Sequence, residues 1–138
     1  MSIYTVYTDG SCKPNPGTGG FGVVILRDGQ PYKERMGACD DTTNNQMEML
    51  GVIDALDHIP AGADITVMSD SKYVVNTLTK GWKRNKNKAL WRAIDDLVES
   101  KDLKVAYQWV KGHADNEHNN RADELAQEAA SDLKEKNG

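Results

Sequence analysis

Apolar and aromatic residues crowd Ile3 to Thr8 densely enough to predict a strand buried on both faces. Gly10 to Gly20, rich in Gly, Pro and Asn, reads as a loop. Two apolar runs, 20–28 and 31–39, flank Asp28-Gly29, a strong tight-turn dipeptide, and should form a hairpin. The period then changes. Met49, Val52, Ile53 and Leu56 follow helical spacing, Thr43 and Gln46 stand at capping-box distance before them, and Pro60 and Gly62 stop the helix. Ile65–Ser69 reads as a strand and Ser71–Leu78 as a short helix. A longer helix is marked by Leu90, Ile94, Leu97 and Val98, and Leu103–Val110 returns as a strand. Ala122, Leu125, Ala126 and Ala129 share one face of a last helix, whose polar end, about 134–138, should fray. The order βββαβα–αβα places parallel crossovers after an antiparallel start. The expected fold is therefore α/β: a five-stranded mixed β-sheet, three antiparallel strands then two parallel, flanked by α-helices, in a single domain spanning 1–138.

With 138 residues, the chain is large enough to bury well over half of its unfolded surface in one core. Apolar content is ordinary, and the apolar run near the start, Phe21 to Leu26, is far short of the ~20 residues of a membrane helix. Residues 1–9 alternate like a strand and lack the organisation of a signal sequence, so a cytoplasmic location is expected. Cys12 and Cys39, without Cys-x-x-Cys spacing, read as reduced thiols, and the histidines lack the surroundings of a zinc site. The net charge of −4 argues against indiscriminate nucleic-acid binding. Yet Lys80, Lys83, Arg84, Lys86 and Lys88 cluster around Trp82. Such a run is usually a solvated face; an aromatic inside it, in an otherwise acidic chain, shifts the reading toward phosphate-backbone contact.

Four acids change the picture. Asp9 and Asp70 end two predicted strands, IYTVYTDGS and ITVMSDS, and Glu48 and Asp123 lie near the starts of two predicted helices. In open α/β sheets, sites form beyond the carboxyl ends of the strands. Singly, each acid has a plainer use, Asp70 as a cap and Glu48 as a first-turn helix residue. Gathered at one sheet edge they repel, at roughly 4 kcal/mol per pair about 4 Å apart near a protein surface. Such a cluster holds either protons or cations, and hard oxygen donors select Mg²⁺. Metal-assisted phosphodiester cleavage is the chemistry that follows.

Two competing motifs fail. Gly17, Gly19 and Gly22 spell G-x-G-x-x-G, but a strand follows where a dinucleotide site needs a helix, so close approach and turning are the better use of these glycines. Ser11 and Ser71 lack a nucleophile-elbow pattern that would make a triad with His113.

The segments YTDGSCKPNPGTGGFG, TNNQMEML, VMSDSKYV and WVKGHADNEHNNRADELA resemble, in order and over almost the whole chain, the four blocks of type I ribonucleases H. That resemblance implies endonucleolytic hydrolysis of the RNA strand of an RNA/DNA hybrid with two Mg²⁺ ions, Mn²⁺ being able to substitute, leaving 5′-phosphate and 3′-hydroxyl ends. It implies that Asp9 bridges both ions, that Glu48 and Asp70 hold the ion on the leaving-group side, and that Asp123 holds the ion that activates water. His113 matches a mobile histidine assisting proton transfer or product release. Asn15, Asn44 and Asn45 match contacts to the hybrid's minor groove. Thr43 matches a phosphate contact on the DNA strand, although one hydroxyl lone pair cannot serve both that role and the helix cap.

Lys72 stands where many members of that family have glutamine, so a phosphate contact is expected in place of an amide contact. The interval from Asp70 to His113 is shorter than in bacterial forms with a full basic protrusion; Trp82, Lys83, Arg84 and Lys86 look like its remnant, without an extra helix. Weaker, salt-dependent hybrid binding should result. Met1 lies two residues before the first strand, so no N-terminal hybrid-binding extension is expected. A monomer with no membrane and no obligate protein partner is the remaining expectation. The rivals are a DNA-directed nuclease of the same superfamily and a non-catalytic hybrid-binding module. The order Asp, Glu, Asp, His, Asp and the asparagine pair disfavour the first, and the complete set of four acids disfavours the second.

Overall fold

A computed structural model describes residues 2–112 and 116–138. In chain order the elements are β1 (Ile3–Cys12), β2 (Gly17–Arg27), β3 (Gln30–Thr42), α1 (Asn44–Asp57), β4 (Asp64–Ser69), α2 (Lys72–Lys80), α3 (Lys88–Ser100), β5 (Lys104–Trp109) and α4 (Glu117–Asn137). The strands form one five-stranded sheet in the order β3-β2-β1-β4-β5. β1–β2 and β2–β3 are antiparallel, β1–β4 and β4–β5 parallel, as the element order predicts. None of the helices among the described residues is long and apolar enough to cross a membrane.

Alternation along the strands sends residues to two cores. Val6, Val23, Ile25 and Val67 pack with Met49, Val52 and Leu56 of α1 and with Trp91 and Ile94 of α3. Their neighbours Tyr7, Val24 and Leu26 point to the opposite face, against Ala122 and Leu125 of α4. Helices thus cover both faces, and β1 lies between them. The hairpin turn is as expected: Arg27 pairs with Gln30, and Asp28 (φ 49°) and Gly29 (φ 81°) both take the left-handed region that a two-residue turn requires.

Three expectations are corrected. β1 runs four residues beyond Thr8, because Gly10 to Cys12 continue the ladder with Phe21 to Gly19. The glycine-rich loop shrinks to residues 13–16, and Gly17–Gly22 are strand. Their small size serves helix packing: a Cβ on Gly20 or Gly22 would sit on the carbonyl oxygen of Ala126 or Ala122. The polar chain end, expected to fray, is helical to Asn137. Lys134 Nζ donates to the Lys13 carbonyl (2.7 Å), and Asn137 Nδ2 to Asp40 (2.7 Å).

Thr43 caps α1, its Oγ1 accepting from Gln46 N at 3.2 Å. The Gln46 side chain does not return to close a capping box. Its Oε1 accepts from Thr42 Oγ1, and its Nε2 donates to Asn87, which hangs the end of the basic segment from α1.

Candidate active site

Parallel pairing of β1 and β4 ends at Thr8 opposite Ser69; Asp9 is the next residue of β1, and Asp70 is the first residue after β4. Asp9 is therefore mid-strand in β1 yet at the carboxyl edge of the parallel half of the sheet. Glu48 enters from the second turn of α1. Asp9, Glu48 and Asp70 each present a carboxylate oxygen within 4.8 Å of the others. Asp123 of α4 joins them in lining a cleft of about 330 Å³, with Ser11, Lys13, Asn44, Asn45 and Gln127 among the other walls.

Gly10 makes this approach possible. Its N–H donates to Asp9 Oδ1 (2.9 Å) and to Glu48 Oε1 (3.0 Å), while a Cβ there would lie 2.7 Å from Glu48 N. Gly112 is similar, since a Cβ would come within 2.6 Å of Asp70 Oδ2. Asp70 itself is not a helix cap; Ser71 does that, its Oγ accepting from Val74 N at 3.2 Å.

Burial, then the charge of Asp70, pushes the Asp9 carboxyl up to about 7. Burial, then the charges of Asp9 and Asp70, holds Glu48 well above the usual carboxylate range. Among the described residues, Glu48 Oε2 is buried without a hydrogen-bond partner. A buried acceptor left unpaired costs about 1–3 kcal/mol, and a bound cation would satisfy it. An all-carboxylate, hard-oxygen donor set with one oxygen unused fits a divalent cation such as Mg²⁺ or Ca²⁺.

The raised carboxyls set the pH dependence of stability without metal. Folded Asp9 holds its proton up to about 7, whereas the unfolded chain releases it near 3.8. Between those values the folded state carries the extra proton, so raising pH destabilises it, by up to roughly 4 kcal/mol for a shift of this size. The opposite shifts of Asp28 and Glu34, both lowered by their hydrogen bonds, act only up to about pH 4.5, at the foot of this window. Melting temperature in chelator should fall from pH 4 to 7, with Glu48 adding to the fall in the same direction, and divalent cation should restore it. A flat or rising profile across that window would contradict the cluster's electrostatics.

The other sequence-predicted residues fall into three groups. Asn44 and Asn45 line the cleft, and Asn15 Oδ1 accepts from Asn44 N at 3.2 Å, tying loop 13–16 to the start of α1. Lys72 lies over the Trp109 ring at 5.1 Å, and the Trp109 indole donates to the Asp70 carbonyl at 3.1 Å. In the basic segment, Trp82 is 48% exposed and Lys83 and Lys86 are exposed, with no helix between α2 and α3. Arg84 differs: it pairs with Asp95 and stacks on Trp91 at 5.4 Å, so it anchors the segment to α3. His113 lies outside the described residues.

Sequence reasoning missed Gly10, Gly112 and Gln127. Gln127 Nε2 donates to Asp123 Oδ2 at 2.9 Å, orienting that carboxylate. Its spacing, four residues after Asp123 on one helix, was a usable signal.

The RNase H family model matches residues 1–131. The ribonuclease H of Francisella philomiragia is 42% identical, the alignment covering 96% of this chain and 98% of that protein. The ribonuclease H of Hydrogenovibrio crunogenus is 41% identical, covering 96% and 99%. Among solved structures, the N-terminal RNase H domain of Rv2228c from Mycobacterium tuberculosis superposes with a TM-score of 0.84 at 25% identity over the full length of both chains. LC11-RNase H1, solved in complex with an RNA/DNA hybrid, gives 0.82 at 27% identity, covering 94% of this chain and 98% of its own.

Proposed function

The chain belongs to the RNase H family, and from that premise we propose that it is an endoribonuclease hydrolysing the RNA strand of RNA/DNA hybrids, leaving 5′-phosphate and 3′-hydroxyl ends. The observation that carries this reading is the convergence of Asp9, Glu48, Asp70 and Asp123 on one cleft, with two of them protonated beyond their ordinary range. Asp9, Glu48, Asp70 and Asp123 would hold two Mg²⁺ ions, or Mn²⁺ in their place. Such ions supply activation of the attacking water and neutralisation of charge on both the attacking and the leaving oxygen.

The chain's own groups prepare that chemistry. The Gly10 N–H fixes the Asp9 and Glu48 carboxylates relative to each other, and Gln127 orients Asp123. Burial of Asp9 and Glu48 behind α1 reduces the screening of those two carboxylates by water. His113 takes the role the resemblance implies, moving a proton or easing product release, which a neutral-range imidazole suits.

Strand choice rests on the amides of Asn15, Asn44 and Asn45, which can hydrogen-bond ribose 2′-hydroxyls and base edges from the minor groove. Thr43 can serve both its uses. Capping occupies an oxygen lone pair, and the hydroxyl proton remains to donate to a DNA-strand phosphate. Lys72, Trp82, Lys83 and Lys86 extend the interface along the backbone, with Arg84 and Asn87 pinning the segment that carries them. The same reading has the single domain 1–138 act as a cytoplasmic monomer without an obligate protein partner.

Lys83→Ala with Lys86→Ala should raise KM for a hybrid and lower the slope of log affinity against log salt by about 1–2, at ~0.7–0.9 for each phosphate no longer neutralised. Slopes equal to wild type would remove these lysines from the interface.

The function is tested with one end-labelled RNA presented alone, paired with RNA and paired with DNA, with Mg²⁺ or with chelator. Internal cleavage confined to the hybrid and to metal-containing reactions is expected. Hybrid binding without cleavage would favour a binding module; cutting of DNA would favour a recombination-type nuclease.

A further inference from the structure

Beside the carboxylate cleft, on its α4 side, lies a second cavity of about 200 Å³ lined by Ser11, Lys13, Gln127, Ala130, Ser131 and Lys134. Ser11, Lys13 and Gln127 also line the cleft itself, so the two are parts of one continuous groove. We propose that Lys13 and Lys134, with the hydroxyls of Ser11 and Ser131, form a phosphate subsite for the strand being cut, a reading that rests on the hybrid-nuclease function above.

The geometry follows from one helix face. Asp123, Gln127, Ser131 and Lys134 are spaced by four, four and three residues, so they lie one above another along α4. The path from Asp123 to Lys134 is about 16 Å at 1.5 Å per residue, long enough to carry backbone beyond the reacting phosphodiester. Along it the electrostatics reverse. The cleft gathers four carboxylates, which repel phosphate, and among the described residues that line it Lys13 is the cation; Lys134 follows one step further on. A polyanion leaving the cleft in this direction therefore meets its first compensating charges here.

The subsite is also held in shape. Lys134 Nζ donates to the Lys13 carbonyl at 2.7 Å, which fixes one ammonium and the loop bearing the other. That bond uses one of three ammonium protons and leaves two to donate to phosphate oxygens. Part of the entropy that a free lysine loses on binding is thereby already lost in the folded protein. Across the cleft, the 80–88 segment hangs from α1 through Asn87 and Gln46. Positive charge then stands on both sides of the carboxylates, in a chain whose net charge is negative.

The test pairs a variant with a set of substrates. In Lys13→Gln/Lys134→Gln, glutamine at 134 can still donate to the Lys13 carbonyl; Lys13→Gln alone leaves that bond untouched and guards against a folding defect. On a long hybrid with one cleavage position, the double variant should show KM raised about tenfold, kcat within about twofold, and a salt slope reduced by about 1–2. Hybrids shortened stepwise from each end of the RNA locate the effect. In one of the two series, the difference from wild type should vanish once the strand no longer reaches the groove. Unchanged KM and salt slope would overturn the subsite, as would a penalty that persists on the shortest hybrids cut. A wild-type protein that cuts no hybrid would instead overturn the function on which the subsite rests.

Discussion

Asp9→Asn should lower kcat by about a thousandfold, equivalent to about 4 kcal/mol, while raising the melting temperature in metal-free buffer. Asn keeps the Oδ1 that accepts from Gly10 N, so the local backbone is preserved. What disappears is a buried charge facing Glu48 and Asp70. Relief of that repulsion should be worth about 1–3 kcal/mol near neutral pH, or several degrees in a domain of this size. Added divalent cation should stabilise wild type more than the variant, because stabilisation by a ligand follows its affinity for the folded state. Melting in chelator and in Mg²⁺, alongside cleavage of a labelled hybrid, checks both halves. A marked fall in the variant's melting temperature would contradict the clustering of the carboxylates.

Gly22→Ala should destabilise the protein by about 3 kcal/mol or more and lower activity in the fraction that remains folded. Gly22 pairs directly with Asp9 across the β1–β2 ladder. Its missing Cβ leaves room for the carbonyl of Ala122, the residue before Asp123. One hydrogen atom at this position therefore sets the distance between two of the acids. The clash is with backbone, which cannot rotate away as a side chain could, so α4 must lift from the sheet and carry Asp123 with it. Gly51→Ala is the contrast. A Cβ there makes ordinary contacts with Thr8 and Phe21 at 3.4–3.8 Å, so helix propensity should dominate and stability should hold or rise by up to about 1 kcal/mol. Thermal melts of the two variants, with cleavage rates per folded molecule, separate these outcomes. Equal stability of Gly22→Ala and wild type would mean that α4 does not set the spacing of the acids.

Hydrophobic periodicity in the sequence by itself determined the element types and their order, because a period of two or of 3.6 is a relation among near neighbours. The Asp28-Gly29 turn and the Thr43 cap were legible for the same reason, each being closed by bonds between residues at most a few positions apart, and the four acids could be placed at strand ends and helix starts from the same periodicity. Tertiary structure alone decided what those acids experience. Glu48 is 38 positions from Gly10, whose N–H joins it to Asp9, and the burial of both acids depends on α1 settling over β1. Arg84 looked like a free phosphate contact until α3 brought Asp95 and Trp91 beneath it. β1 outran its apolar stretch because β2 offered partners to Gly10–Cys12, and the chain's polar end stayed helical because Lys13 and Asp40 came within reach. Charge, burial and pairing depend on distances through space, and those are fixed only when the sheet closes and helices cover both its faces.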